Sequence, residues 1–140
     1  MIIDEIKKAN IEAMKARDNT TRGVLSVVMT KYKLMEVELR SNGKEIGDTE
    51  LLSIIQKTLK ELADEKEGYV KAGNEARVAD ITKQEEVLSG YLPKQLSEQE
   101  IRDIIASLED KSVPSVMKHF KTNYAGKVDM SLVNSILRSL

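Results

Sequence analysis

The scarcity of helix breakers constrains this chain more than any other feature. Two prolines and seven glycines are spread over 140 residues. The windows between them are long, and their apolar residues recur at three- and four-residue steps, the helical period. Ile2, Ile6, Ala9 and Ala13 mark a first helix that stops near Arg17-Asp18-Asn19. A second is expected to start at a Thr20/Thr21 cap, to carry Val24, Leu25, Val28, Tyr32, Met35 and Leu39, and to end at Ser41-Asn42-Gly43. Asp48 is placed to cap a third, with Leu51, Leu52, Ile55, Leu59 and Leu62 on its apolar side and Gly73 as its stop. Asn74 caps a fourth, strongly polar helix that Val78 and Ile81 anchor and that finishes with Leu88 before Gly90.

Gly90-Tyr91-Leu92-Pro93 is the clearest punctuation in the chain. Proline disfavours helix at the residue before it, so the fourth helix must end first. A domain boundary falls here, giving an N-terminal helical domain over 1–92 and a C-terminal three-helix domain over 93–140. Ser97-Glu98-Gln99-Glu100 is a capping box ahead of Ile101, Ile104, Ile105 and Leu108. Ser112 is placed to cap the next helix, with Pro114 tolerated in its first turn and Val116, Met117 and Phe120 facing inward. Asp129 caps the last, which carries Leu132, Val133, Ile136, Leu137 and Leu140. No window alternates strictly, so the expectation is an all-α protein: a four-helix unit followed by a three-helix unit short enough to depend on good packing.

Composition argues against most chemistry. There is no cysteine and one histidine, His119, which removes thiolate metal sites, cysteine nucleophiles and His clusters. No nucleophile–base set can be assembled around His119. The paired carboxylates Asp4-Glu5, Asp64-Glu65, Glu85-Glu86 and Glu109-Asp110 read as solvated faces, with Lys60-Asp64 and Glu61-Lys66-Glu67 as pairs along one helix. No phosphate-cradling glycine motif occurs. Catalytic residues, metal ligands and cofactors are therefore not expected. Val28, Met29, Met35 and Val37 are open to reading as an exposed partner groove, since methionine is adaptable, but their helical spacing favours core packing. Met1-Ile2-Ile3-Asp4-Glu5 meets charge after three residues, unlike a signal peptide, and no window is apolar enough to span a membrane. A cytoplasmic protein is the default expectation.

Charge is distributed unevenly. The whole chain has 22 Lys/Arg and 23 Asp/Glu, net −1. Residues 1–110 carry 17 against 22, net −5, whereas residues 111–140 carry Lys111, Lys118, Lys121, Lys127 and Arg138 against Asp129 alone, net +4. Lys118 and Lys121 are one helical turn apart, and Lys127 lies in the turn before the last helix. The free N–H groups of that helix would add anion affinity unless Asp129 satisfies them. A phosphate backbone is a natural ligand for such a cluster, and a solvated basic face is the alternative.

Two segments also resemble a known family. Tyr91-Leu92-Pro93-Lys94-Gln95-Leu96-Ser97-Glu98-Gln99-Glu100-Ile101 is similar to the Y-L-P-x-Q-L-S-E-E-E-[IL] hinge of the GatB/YqeY-like family. Gly126-Lys127-Val128-Asp129-Met130-Ser131-Leu132-Val133-Asn134 resembles its G-K-A-D-x-x-L-V-N signature. The resemblance implies an all-α protein related to the tail of the B subunit of the tRNA-dependent amidotransferase, a region that touches the outer corner of tRNA while chemistry proceeds elsewhere. Lys127 and Asn134 fall on signature positions, and Lys118 matches a lysine common in the amidotransferase tail. Where members carry P-K-x-K-G-K and M-G-K runs, this chain has Thr122-Asn123-Tyr124-Ala125-Gly126-Lys127 and Val113-Pro114-Ser115. Asn134 has a second reading, an amide that holds the preceding loop by hydrogen bonds.

The expectation that follows is an accessory module for tRNA or other structured RNA, bound through Lys118, Lys121, Lys127, Asn134 and Arg138 without chemistry of its own. The alternatives are a protein–protein adaptor of the translation machinery acting through the N-terminal domain, and, by kinship to carbon–nitrogen ligases, a participant in glutamine-dependent amidation of mischarged tRNA.

Overall fold

The computed structural model describes residues 1–140. The chain is all-α, as its apolar spacing indicates, with helices α1 (Ile2–Lys15), α2 (Asn19–Ser41), α3 (Asp48–Lys71), α4 (Glu75–Ser89), α5 (Glu98–Ser107), α6 (Val113–Asn123) and α7 (Met130–Ser139). Contacts gather it into two compact units, Met1–Tyr91 and Leu92–Leu140.

In the first unit α2 packs against each of α1, α3 and α4. Its core joins Ile3 and Ile6 of α1, Leu25 and Val28 of α2, Leu51 and Ile55 of α3, and Ile81 and Leu88 of α4. Val78 is only half-buried, so Leu88 rather than Val78 shares the anchoring of α4 with Ile81. Gly43 and Gly73 stop α2 and α3 at positive φ, 72° and 70°, a conformation a Cβ would penalise. Arg17 closes α1 the same way at φ 57°, with its N–H donating to Met14 O and the Asp18 N–H to Ala13 O.

Two caps differ from the expectation. Asp18, not Thr20 or Thr21, caps α2: its carboxylate accepts from the Thr21 N–H at 3.2 Å and the Thr21 hydroxyl at 2.7 Å. A carboxylate three residues ahead of an amide reaches it better than a threonine already inside the first turn. The second correction is Asp48, which opens α3 from within. Gly47 is the cap residue, and its N–H is satisfied by Glu50 at 2.9 Å. Asp48 instead accepts from the Ile2 N–H at 3.2 Å, so it caps α1, whose own N-cap residue Met1 offers no side-chain acceptor.

The ion pairs also connect different helices more than the sequence suggests. Lys66 reaches Glu85 of α4 at 3.0 Å, and Glu61 takes Lys31 of α2 at 2.8 Å, while Glu67 pairs along α3 with Lys71. Lys31 also donates to the buried Thr58 hydroxyl at 3.0 Å, and Thr58 in turn donates to Ile54 O. The polar α4 is tied to the start of α2 by a continuous set of bonds. Thr20 and Gln84 donate to the two oxygens of Asp80 at 2.8 and 3.0 Å, and Lys83 donates to Asp18 at 3.0 Å.

Asp18 is the charged centre of this junction. Bonds from the Thr21 hydroxyl, from Lys83 and from the Thr21 amide hold its carboxyl down to about 2. A carboxyl whose folded pKa lies below its unfolded value stabilises the fold above that unfolded value and loses the contribution as pH falls toward the folded one. Asn can still cap a helix but carries no charge. Asp18→Asn is therefore expected to lower the melting temperature at neutral pH and to match the unmodified chain more closely as pH drops from about 4 to about 2. Thermal melts followed by circular dichroism check this; a gap between the two proteins that is constant with pH would contradict it.

Candidate nucleic-acid interface

The second unit has its own apolar centre: Ile101 and Ile105 of α5, Val116 and Phe120 of α6, Val128 of the α6–α7 loop, and Val133 and Ile136 of α7. Three helices of ten or eleven residues are too short to hold themselves in water, so their order comes from this core. α5 begins as expected: the Ser97 hydroxyl accepts from the Glu100 N–H at 3.1 Å, and Glu100 accepts from the Ser97 N–H at 3.1 Å. That pairing lowers the pKa of the Glu100 carboxyl. At the start of α6, Ser112 is the N-cap residue but makes no side-chain cap bond, and Pro114 sits in the first turn.

The two sequence segments that carry the resemblance meet in this unit. The Gln95 side-chain amide donates to Gly126 O at 2.7 Å and to Pro93 O at 2.9 Å. The Leu96 N–H donates to Lys127 O at 2.8 Å. The loop is closed on its other side by the Lys127 N–H, which donates to Tyr124 O at 3.0 Å. Gly126 is buried at φ 76°, where only glycine turns the chain without strain. The backbone of Lys127 is thus clamped on both sides while its side chain stays exposed. Asn134 is half-buried on α7.

The remaining candidate residues are placed as follows. Lys118 and Lys121 are exposed, one turn apart on the side of α6 away from buried Val116 and Phe120. Asn134 and Arg138 are one turn apart on α7, on the flank away from Val133 and Ile136. Lys118, Lys121, Lys127 and Arg138 take part in no intramolecular ion pair. The N-terminus of α7 is already satisfied by an anion. Asp129 accepts from the Ser131 N–H at 2.9 Å, so that end of the helix adds nothing to phosphate affinity.

His119 belongs to an aromatic cluster. Its ring lies 6.0 Å from those of Phe120 and Tyr124, and Asn123 approaches its Nδ1 at 3.2 Å while donating to its backbone oxygen at 3.0 Å. The cluster was not visible as a unit in the sequence, although the four-residue steps from His119 to Asn123 and from Phe120 to Tyr124, one turn along α6 and its C-cap, are its signature.

The boundary of the basic region is also sharper than a division at residue 110. Over 92–140 there are 7 Lys/Arg and 6 Asp/Glu, net +1. The contrast lies inside the unit. The acids cluster on α5 and the segment after it, where Glu98 pairs with Arg102 at 2.9 Å, Asp103 accepts from Gln99 and Asp110 accepts from the Ser112 N–H. Lys94 and Lys111 flank α5 without an ion pair, and Lys118, Lys121, Lys127 and Arg138, equally without one, lie on α6, the loop and α7, where Asp129 is the one acid.

The chain is all-helical, with a clamped loop between α6 and α7 and exposed cations on α6, that loop and α7. A family model described as Yqey-like protein matches residues 3–140, and the chain belongs to that family. Comparison with curated proteins finds no match. No helix is long and apolar enough to cross a membrane.

Replacing Gly126 tests the clamp. Gly126→Ala forces a Cβ into left-handed backbone and is expected to cost about 1–2 kcal/mol of stability. Chemical denaturation measures this; a loss below about 0.3 kcal/mol would mean that the loop relaxes and the clamp is weak.

Proposed function

We propose that the chain is an accessory module that holds structured RNA, with tRNA as its foremost ligand, through phosphate contacts on α6, the α6–α7 loop and α7. Lys118, Lys121, Lys127 and Arg138 supply charge, and the Asn134 amide supplies a neutral donor. The observation that carries the reading is the set of exposed cations without carboxylate partners, one of them presented from a clamped backbone. A rigid anchor reduces the ordering cost of each phosphate contact. Recognition of this kind reads backbone geometry rather than base edges, which fits a chain with 4% aromatic residues and no stacking platform. The residues 93–140 act in this reading as the RNA-facing domain, and the protein works in the cytoplasm. Kinship to the amidotransferase tail supports a place beside tRNA-dependent amidation, with bond-making left to other proteins.

A second reading, a docking role for the N-terminal domain, has one observation in its favour: Val27, Leu34 and Val37 on α2 are exposed.

Gel-shift titration with bulk tRNA distinguishes them. Binding is expected at low salt and is expected to weaken steadily as salt rises, because bound phosphates release counterions. Lys127→Glu should abolish most of the binding, and Lys118→Ala should reduce the logarithmic salt slope by about one. Absence of binding at low salt, or binding indifferent to Lys127→Glu, would overturn the proposal.

A further inference from the structure

We propose that α2 carries a self-association seam and that its occupant is α2 of a second copy of this chain, aligned parallel. Gly23, Val27, Thr30, Leu34, Val37 and Ser41 follow one another in steps of four, three, four, three and four residues, the repeat of a coiled-coil seam. All six are exposed although α2 packs against three other helices. Their apolar members are the most conspicuous: Val27 is 46% exposed, Leu34 67% and Val37 56%. Smaller residues, Gly23, Thr30 and Ser41, fill the other seam positions, and the space around the missing Gly23 side chain is open, so a second backbone can approach closely.

Charge selects the occupant and its direction. With Val27 and Leu34 at the first core position of the repeat and Thr30 and Val37 at the second, the residues flanking the seam are Lys31 and Glu38 on one side and Lys33 and Arg40 on the other. Lys31 is engaged with Glu61 and Thr58, and Arg40 lies 3.8 Å from Glu36. Lys33 and Glu38 are exposed and make no ion pair within the chain. In a parallel pair a flanking residue on one helix faces the opposite flank five residues further along the other. Lys33 then faces Glu38 of the partner subunit, and the two-fold axis repeats the pair. An antiparallel pair would set Lys33 against Lys33 of the partner subunit and is disfavoured. Three apolar side chains bury too little for a permanent dimer, so the association is reversible.

The absence of native cysteine allows a clean test. A single Val37→Cys substitution places one thiol on the seam, and a control Lys57→Cys places one on the exposed side of α3. Under mild oxidation Val37→Cys is expected to give a disulfide-linked homodimer far faster than the control. Sedimentation of the unmodified chain is expected to show a concentration-dependent monomer–dimer equilibrium. Lys33→Glu and Glu38→Lys should each weaken it roughly fivefold or more, and the double swap should restore it. Circular dichroism of each variant verifies the helical fold. A monomer at every concentration, equal cross-linking of the two thiols, or a double swap that fails to restore association would each overturn the proposal.

Discussion

The bond from the Leu96 N–H to Lys127 O, with Gln95 holding Gly126 beside it, sets the register in which three very short helices pack around their shared apolar core. Helices of ten or eleven residues are marginal in water, and their apolar faces can pack in many registers. Hydrogen bonds between the segment entering α5 and the loop entering α7 remove that freedom. They fix where α7 begins, which lets Val128 fill the core between Phe120 and Val133. The same bonds fix the backbone from which Lys127 projects. Structure and proposed function thus depend on one short contact between segments about thirty residues apart in sequence.

The first unit meets a different difficulty. Its fourth helix buries little beyond Ile81 and Leu88, too narrow an apolar face to fix its rotation. Polar bonds supply the missing definition. Asp80 is bridged by Thr20 and Gln84, Lys83 reaches Asp18, and Glu85 reaches Lys66. Hydrogen bonds and ion pairs at partly exposed positions contribute little each, but their geometry is directional and selects one rotation of the helix. Asp48 plays a comparable part by capping the start of α1 from the first turn of α3.

Helix boundaries were legible wherever a residue type has a conformational reason to end a helix: Gly43, Gly73, the Ser97 capping box and Pro93. The caps at Asp18 and Gly47 were misassigned because several polar residues stand within two positions of each helix start, and only the backbone geometry chooses among them. Lys66 and Glu61 were read as pairs along α3, since local spacing cannot show a partner on another helix. Val37 was read as a core position and is exposed instead, and the exposure of Val27 and Leu34 was hidden for a related reason. α2 has more apolar residues than one face can bury, and the tertiary packing decides which are left out. The five residues of the candidate RNA surface were all visible as residue types. The clamp that presents Lys127 was not, because a loop-to-loop hydrogen bond has no periodic signature.

In the proposed function the cations of α6, the α6–α7 loop and α7, and not the helices of residues 1–91, meet RNA. The most direct measurement is a titration of isotopically labelled protein with tRNA, followed by amide chemical shifts. Perturbations are expected to centre on Lys118, Lys121, Lys127, Asn134 and Arg138 and to be reversed by added salt. Shifts confined to helices of residues 1–91, or no shifts at all, would contradict it.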